Sequence, residues 1–534
     1  MNMSTFKGKS GFTGKAGLAG LAGCLLLATA LTGCGGDSSK GSEGAAASPS
    51  AQASGSPAVQ KPVELSWMVN QVVLPESEGE KLVEEKFNVK LDIISISNAD
   101  YVQRQQLMMS TGEVSDVLFV LDPNELKKYA DQGLLAEVPM DLIAKHAPRL
   151  KAEIDKSAPQ GWYYTEQKGK NYGVPTLYAG QYTTPVSWRT DLLEKAGVTK
   201  IPETIDEMTQ AFAALKKIGV YGASSNGNSY YLTFQKIFGA YGVMPTQWMV
   251  KDGKVVNGAT EPEAKEALTL LADWYKNGYI DPEFITGKDL GPKYLDGKYA
   301  FTDNDNVGST DESNPSSNIV ALKKLNPNGK IEFGPLPKGP KGLSGGWSWG
   351  SAGNMYAFGV QLEKQPEKLA KALEIIDAAV NEEDLFVRLA FGIQGKHWEF
   401  KNGKDLIEGV KVIPPYDDGK KLQEEGIYGG GKSFFGGTPT LDLHYKYYGE
   451  KLLNVYKQYG NKPVEDIFGK PDILPSAGQY WGDLKKLKVE AYAKIIRGDV
   501  PVSYFDTFVK QWNDMGGEQL RKEGQALYDS MQKK

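Results

Sequence analysis

A chain of 534 residues with 40% hydrophobic and 24% charged residues has the polar balance of a soluble globular protein and apolar material for more than one core. Its net charge is −5 and no long basic run occurs, which argues against nucleic acid as a partner. The two Cys lie at positions 24 and 34 and the three His are His146, His397 and His444, so the body of the chain has no disulfide and little material for a zinc site or a His-based triad.

Lys7, Lys9 and Lys15 precede an apolar, small-residue stretch over 16–32 that contains Leu25-Leu26-Leu27-Ala28. A positive segment followed by a short apolar one is the layout of an export signal, and its glycines make it a poor membrane span. The stretch ends in Leu31-Thr32-Gly33-Cys34, which resembles the bacterial lipobox, in which the Cys is acylated and begins the mature protein. On that resemblance residues 1–33 are a lipoprotein signal peptide and Cys34 is the lipidation site. The protein is then extracytoplasmic and held at the cell membrane by lipid alone. Loss of the three lysines takes the net charge near −8. Residues 34–61 are Gly-, Ser-, Ala- and Pro-rich and are expected to form a disordered tether with a reach of roughly 30 Å.

In the body, 63–69 is β-rich, 76–87 reads as a helix and 89–96 as a second strand. A helix over 101–111, a continuous apolar strand over 116–121 and a helix over 123–132 follow. Strands alternating with helices predict a parallel α/β sheet buried on both faces. Thr204 and Glu207 form a predicted capping box, after which Ile205, Met208, Phe212 and Leu215 make one apolar face. Thr260 and Glu263 predict the same device before Ala264, Leu268, Leu271 and Tyr275, with Gly278 as the stop. A third helix starts near Pro366 and aligns Leu369, Leu373, Ile376 and Val380. Residues 402–440 read as long loops and 441–534 as mainly helical.

Several short stretches, in order, resemble the extracellular solute-binding proteins of carbohydrate ABC importers, the maltose-binding-protein-like group. Residues 111–117 resemble the "sG-x-x-PD-v" turn, with Ser115 replacing the usual Pro. Tyr172-Gly173-Val174-Pro175 resembles "YGVP", 188–193 resembles "x-x-R-x-D-L-L", 202–216 the "P-x-T-x-[DE]-E" helix start, and 296–301 "x-GK-x-A-[MF]". Residues 392–399 and 498–520 resemble segments of the longer oligosaccharide-binding lipoproteins. Some of those relatives carry an acidic EF-hand-like loop after the helix that here is 204–217. This chain reads Ile218-Gly219-Val220-Tyr221-Gly222 instead, and in the loop from Asp303 to Gly308 Val307 takes a calcium-ligand position, so no metal and no cofactor are expected.

The resemblance implies an α/β, two-lobed periplasmic-binding-protein-like fold (type II), with a hinge between the lobes and a ligand cleft. Lobe 1 is expected over 62–182 plus 351–435 and lobe 2 over 186–347 plus 440–534, with crossings near 182–187 and 350–356. It implies a monomeric receptor that binds an oligosaccharide and hands it to ABC permease subunits.

Sugars present apolar C–H faces that stack on aromatic rings and hydroxyls that need donors and acceptors. Trp347 and Trp349, alternating within a Gly/Ser loop, are the first stacking candidates, against hinge packing. Trp188, Trp398 and Trp67 are further candidates, each with core or loop packing as its alternative. Trp248, Trp274, Trp481 and Trp512 are expected in cores. Tyr178, Gln181 and Tyr182 follow Val174-Pro175, where the resemblance places ligand contacts. Asn70, Gln71, Asp122, Asp303 and Asn304 follow or end strands, at the edge where parallel sheets bind ligands. Arg189 is expected to pair with Asp191, and His397 to be a hydrogen-bonded loop residue.

Three other readings use the same residues. A lipid-anchored glycoside hydrolase needs only two suitably spaced carboxylates among 66 acidic residues, although no HExxH motif occurs. A sensory or adhesive glycan-binding lipoprotein has the same closed shape. The same lobes also host peptide-like ligands.

Overall fold

The structure, a computed structural model, describes residues 61–532 except 178–182, 232, 287, 289, 313–316, 349–351, 418, 429–432, 438–439, 441–442, 444–445, 461–462 and 465. Cys34, Tyr178, Gln181, Tyr182 and Trp349 therefore lie outside the described residues.

The chain begins with β1 (Val63–Val69), α1 (Glu78–Phe87), β2 (Val89–Ser95), α2 (Tyr101–Thr111), β3 (Val117–Val120) and α3 (Pro123–Asp131). Strand β4 (Gly173–Leu177) follows. A second set comprises β5 (Val186–Trp188), α4 (Ile205–Lys217), β6 (Tyr221–Ala223), α5 (Pro262–Lys276), β7 (Tyr299–Thr302) and β8 (Glu332–Gly334). The chain then returns through β9 (Ala352–Phe358) and α6 (Pro366–Asn381), and α7 (Ala477–Arg497) lies in the C-terminal third.

Two sheets define the two lobes. The first has the order β2-β1-β3-β9-β4, with β1 parallel to β2 and β3, and β9 antiparallel to β3 and β4. All four residues of β3 are buried, as a strand covered on both faces requires. Helix α1 starts two residues later than the sequence suggests, because Glu76 takes φ 60° and the Ser77 side chain caps the Glu80 N–H. Asp116 is outside β3: its carboxylate accepts from the Ser66 N–H at 3.0 Å and from Lys368 at 3.2 Å, tying β1 to α6.

The second sheet has the order β8-β5-β7-β6. Its core is aromatic: Trp188, Phe212 and Phe301 pack with centroids 4.8 to 6.3 Å apart, and Trp274 sits against Phe212 at 4.9 Å. Both halves of the capping box at Thr204 are present, with the Glu207 N–H donating to the Thr204 hydroxyl at 3.2 Å. Thr260 is different from the expectation. It ends a short 3-10 turn, its hydroxyl donates to the Asn257 carbonyl, and Glu261 precedes α5, so Pro262 at the first helical position does the starting. Arg189 pairs bidentately with Asp191.

Helix α7 packs on α5 and so adds the C-terminal third to the second sheet's side. The 402–440 region holds more than loops. Trp398–Phe400 pairs with Val410–Val412, and Gly419–Glu424 is helical.

Candidate ligand cleft

Strand β3 ends with its C-terminus toward the second lobe's residues, and Leu121 and Asp122 follow at once. Because β9 runs antiparallel to β3, its first residues, Ala352, Gly353 and Asn354, share that edge. Opposite them stand Tyr231, Thr246, Gln247 and Trp347, with Asp466, Gly469, Lys470 and Asp472 closing the space. Together they line a cavity of about 410 Å³, within the size range of small-molecule sites. Its aromatic wall is Trp347 with Tyr231, ring centroids 5.3 Å apart. The Trp347 N–H donates to the Gln235 carbonyl oxygen of its side chain at 3.1 Å, which fixes the loop.

The segment 466–473 touches both lobes. On the second lobe's side, the Asp466 carboxylate accepts from the Trp248 N–H at 2.7 Å and the Phe468 N–H at 2.9 Å. On the first lobe's side, Tyr164 donates to the Phe468 carbonyl at 2.9 Å and Asn124 to the Asp472 carbonyl at 2.6 Å. Gly469 takes φ 73° and its Cα faces the Tyr164 hydroxyl so closely that a Cβ would collide, so only glycine serves there. Lys470 donates to the Leu121 carbonyl at 2.9 Å and the Asn354 side chain at 3.1 Å.

Burial sets the titration of this segment. It pushes the Asp466 carboxyl up to about 7, against the two N–H donors that favour the charged form. It holds the Lys470 ammonium down to about 8 despite the neighbouring Asp122 and Asp472. Asp472 is raised, again by burial, with Lys485 opposing.

A second, smaller cavity of about 210 Å³ lies inside the second lobe, lined by Ser224, Asn226, Thr302, Asp303, Asn304, Asp305 and others. Asp303 is buried beside the buried Lys236, and burial favours the neutral form of each. Lys236 donates to the Thr184 hydroxyl at 2.6 Å, which in turn donates to Asn304 at 2.7 Å.

The candidates named from the sequence thus separate. Trp347 and Asp122 line the cleft cavity. Asp303 and Asn304 line the second cavity instead. Trp188 is 1% exposed within the aromatic core around Phe212, because β5 is buried on both faces. Trp67 is fully buried and packs against Phe435 with ring centroids 4.4 Å apart. Trp398 belongs to a satellite core and donates to the Gly392 carbonyl at 3.0 Å. Neither cavity is lined by these three. Asn70 reaches the Asn98 side chain at 3.4 Å, and Gln71 is buried near the Ser433 carbonyl at 3.5 Å. His397 is buried and hydrogen-bonded to Glu425.

Sequence reasoning missed Tyr231, Gln247, Asn354, Asp466, Lys470 and Asp472. The turn Gly469-Lys470-Pro471-Asp472 marks a loop, but nothing local says that the loop returns to the end of β3.

Comparison with known proteins places this architecture. Residues 75–384 match the model of the bacterial extracellular solute-binding protein family. The chain is 25% identical over 523 residues to the polygalacturonan/rhamnogalacturonan-binding protein YtcQ of Bacillus subtilis, covering 93% of this chain and 95% of that one. It is 23% identical to lipoprotein LipO of the same organism, covering 85% and 90%. Among solved structures, the alginate-binding protein AlgQ2 shares the fold with a TM-score of 0.63 at 19% identity, covering 88% of this chain and 98% of that one. An HMO-binding, ABC-transporter-associated solute-binding protein from Bifidobacterium longum infantis gives 0.64 at 16% identity, covering 88% and 99%. A two-lobed α/β body with a cavity at the carboxyl edge of a parallel sheet, matched over more than half its length by one family model, belongs to the bacterial extracellular solute-binding protein family.

Proposed function

We propose that this chain is the substrate-binding lipoprotein of an ABC importer, which captures an oligosaccharide outside the membrane and delivers it to the permease. The observation that carries this reading is the cavity between the lobes, where the Trp347 and Tyr231 rings stand beside Asn354, Gln247, Asp122 and Lys470. Aromatic faces suit sugar C–H surfaces and the polar groups suit hydroxyls. A ligand that touches both walls favours the closed arrangement by its differential affinity for it.

The lobes run over 62–182 plus 351–435 and over 186–347 plus 440–534, and the segment 466–473 joins the two crossings as a third connection. Cys34 carries the lipid, and the receptor acts as a monomer. The names of the relatives, which include polysaccharide binding and a lipoprotein, support this reading.

Calorimetry and thermal-shift screening of the mature chain against plant and microbial oligosaccharides test it. A binder raises its melting point and returns the sugar intact on chromatography. Cleaved sugar, or no glycan that stabilises the protein, overturns the proposal.

A further inference from the structure

We infer that the cleft selects an uncharged, hydroxyl-rich oligosaccharide and discriminates against uronate chains. This rests on the glycan-capture reading above and narrows it to a ligand class.

The first observation is the charge that faces the cavity. Among the described lining residues the acidic and basic side chains are Asp122, Asp466, Asp472 and Lys470, and no arginine is present. A receptor for a uronate needs a cation free to meet a carboxylate, best as a bidentate guanidinium. Lys470 is the sole candidate among these residues, and it already donates to the Leu121 carbonyl and the Asn354 side chain. Its charge also offsets Asp122 and Asp472 on either side. The lysines behind the wall are likewise engaged: Lys127 faces Glu166 and Asp122, and Lys485 faces Asp472. A carboxylate entering here therefore meets like charge in a partly desolvated space, where repulsion is stronger than in water.

The second observation concerns hydrogen-bonding demand. Gln247 is 1% exposed, and its amide nitrogen donates to the Ser348 carbonyl at 3.3 Å, which leaves Oε1 as a buried acceptor at the cavity wall. Among the described residues Oε1 has no hydrogen-bond partner, and neither does the buried Thr246 hydroxyl. The buried Gln247 oxygen calls for a donor, whereas the Thr246 hydroxyl can donate or accept. Sugar hydroxyls donate, whereas a carboxylate only accepts. The Asp122 and Asp472 carboxylates add to the same demand for donors. Charge and hydrogen bonding thus point to one ligand class, and against transferring a polygalacturonan ligand from the Bacillus subtilis relative.

The test is isothermal calorimetry of the mature chain at pH 7.5 with two series of matched length: neutral gluco-, xylo- and manno-oligosaccharides, and oligogalacturonates with alginate oligomers. A neutral member is expected to bind at least about tenfold more tightly than any uronate. Asp472→Asn and Asp122→Asn are then expected to narrow that gap about threefold or more, by improving uronate binding. Asn retains the acceptor with which Asp122 caps α3, and melting curves verify that both variants fold. A uronate that binds as well as the best neutral sugar overturns this inference and leaves glycan capture standing. A gap unchanged in both variants overturns it as well. If neither series binds, glycan capture itself fails, and the inference with it.

Discussion

The Lys470 ammonium donates to the Leu121 carbonyl at 2.9 Å, so a residue of the C-terminal third holds the end of the first lobe's β3 strand at the cleft. The contact has a cost, because burial disfavours the charged lysine. The unfolded chain binds a proton at Lys470 up to its ordinary value of 10.5, and the folded chain releases it from about 8. Lys470 therefore weakens the fold below about pH 8, and that penalty disappears as pH rises through this window. Urea unfolding at pH 8 and pH 10 should show a rise in wild-type stability that Lys470→Met reduces by about 2 kcal/mol. An identical rise in the variant would contradict it.

Asp466 gives the opposite slope at lower pH. Its folded value of about 7 lies above its ordinary 3.8, so the native state holds the proton longer than the unfolded one. Its contribution is greatest below about pH 4 and is lost as pH rises toward 7. Asp466→Asn should flatten the fall in stability between pH 5 and pH 7. The comparison is chemical unfolding of both proteins across that range.

Trp347 forms the cleft's aromatic wall and is 5% exposed. Trp347→Ala should weaken oligosaccharide binding about tenfold or more, and lower stability by about 2–4 kcal/mol through lost packing. Trp347→Phe keeps a ring and should restore most of the stability. Calorimetry and melting curves on the three proteins separate the two effects.

Glu425 anchors the 392–428 region of the first lobe. The Ile393 N–H donates to His397 Nδ1 at 2.8 Å, so Nε2 carries the proton and donates to Glu425 at 2.9 Å. Tyr416 and Lys396 donate to the same carboxylate at 2.7 and 2.8 Å. These donors outweigh burial and hold Glu425 down to about 2. Its stabilisation is present above about pH 4.5 and is lost as pH falls toward 2. Glu425→Gln should cost about 2 kcal/mol at pH 7 and visibly less at pH 3, as read by guanidinium unfolding.

Thr204→Ala should cost about 1 kcal/mol by removing the cap of α4, with ligand affinity unchanged, because Thr204 lines neither cavity. A loss of affinity at constant stability would contradict that placement.

The local units follow from neighbouring residues alone. Short-range rules act within a few residues, so the spans of β1 and α2, the start of α6 and the Thr204 cap were legible from periodicity and side-chain chemistry alone. The order of motifs also indicated the two-lobed fold. Which chemistry reaches the cleft depends instead on contacts between distant segments. Lys470 meets Leu121 across 349 positions and Asp466 meets Trp248 across 218, distances over which no local pattern carries information. The same holds for tryptophans: Trp188 and Trp347 look alike as aromatic residues near a crossing. One is enclosed by Phe212 and Phe301 in a core, while the other turns its ring beside Tyr231 to a cavity wall. Apolar burial drives both, and packing geometry alone chooses which surface each one covers.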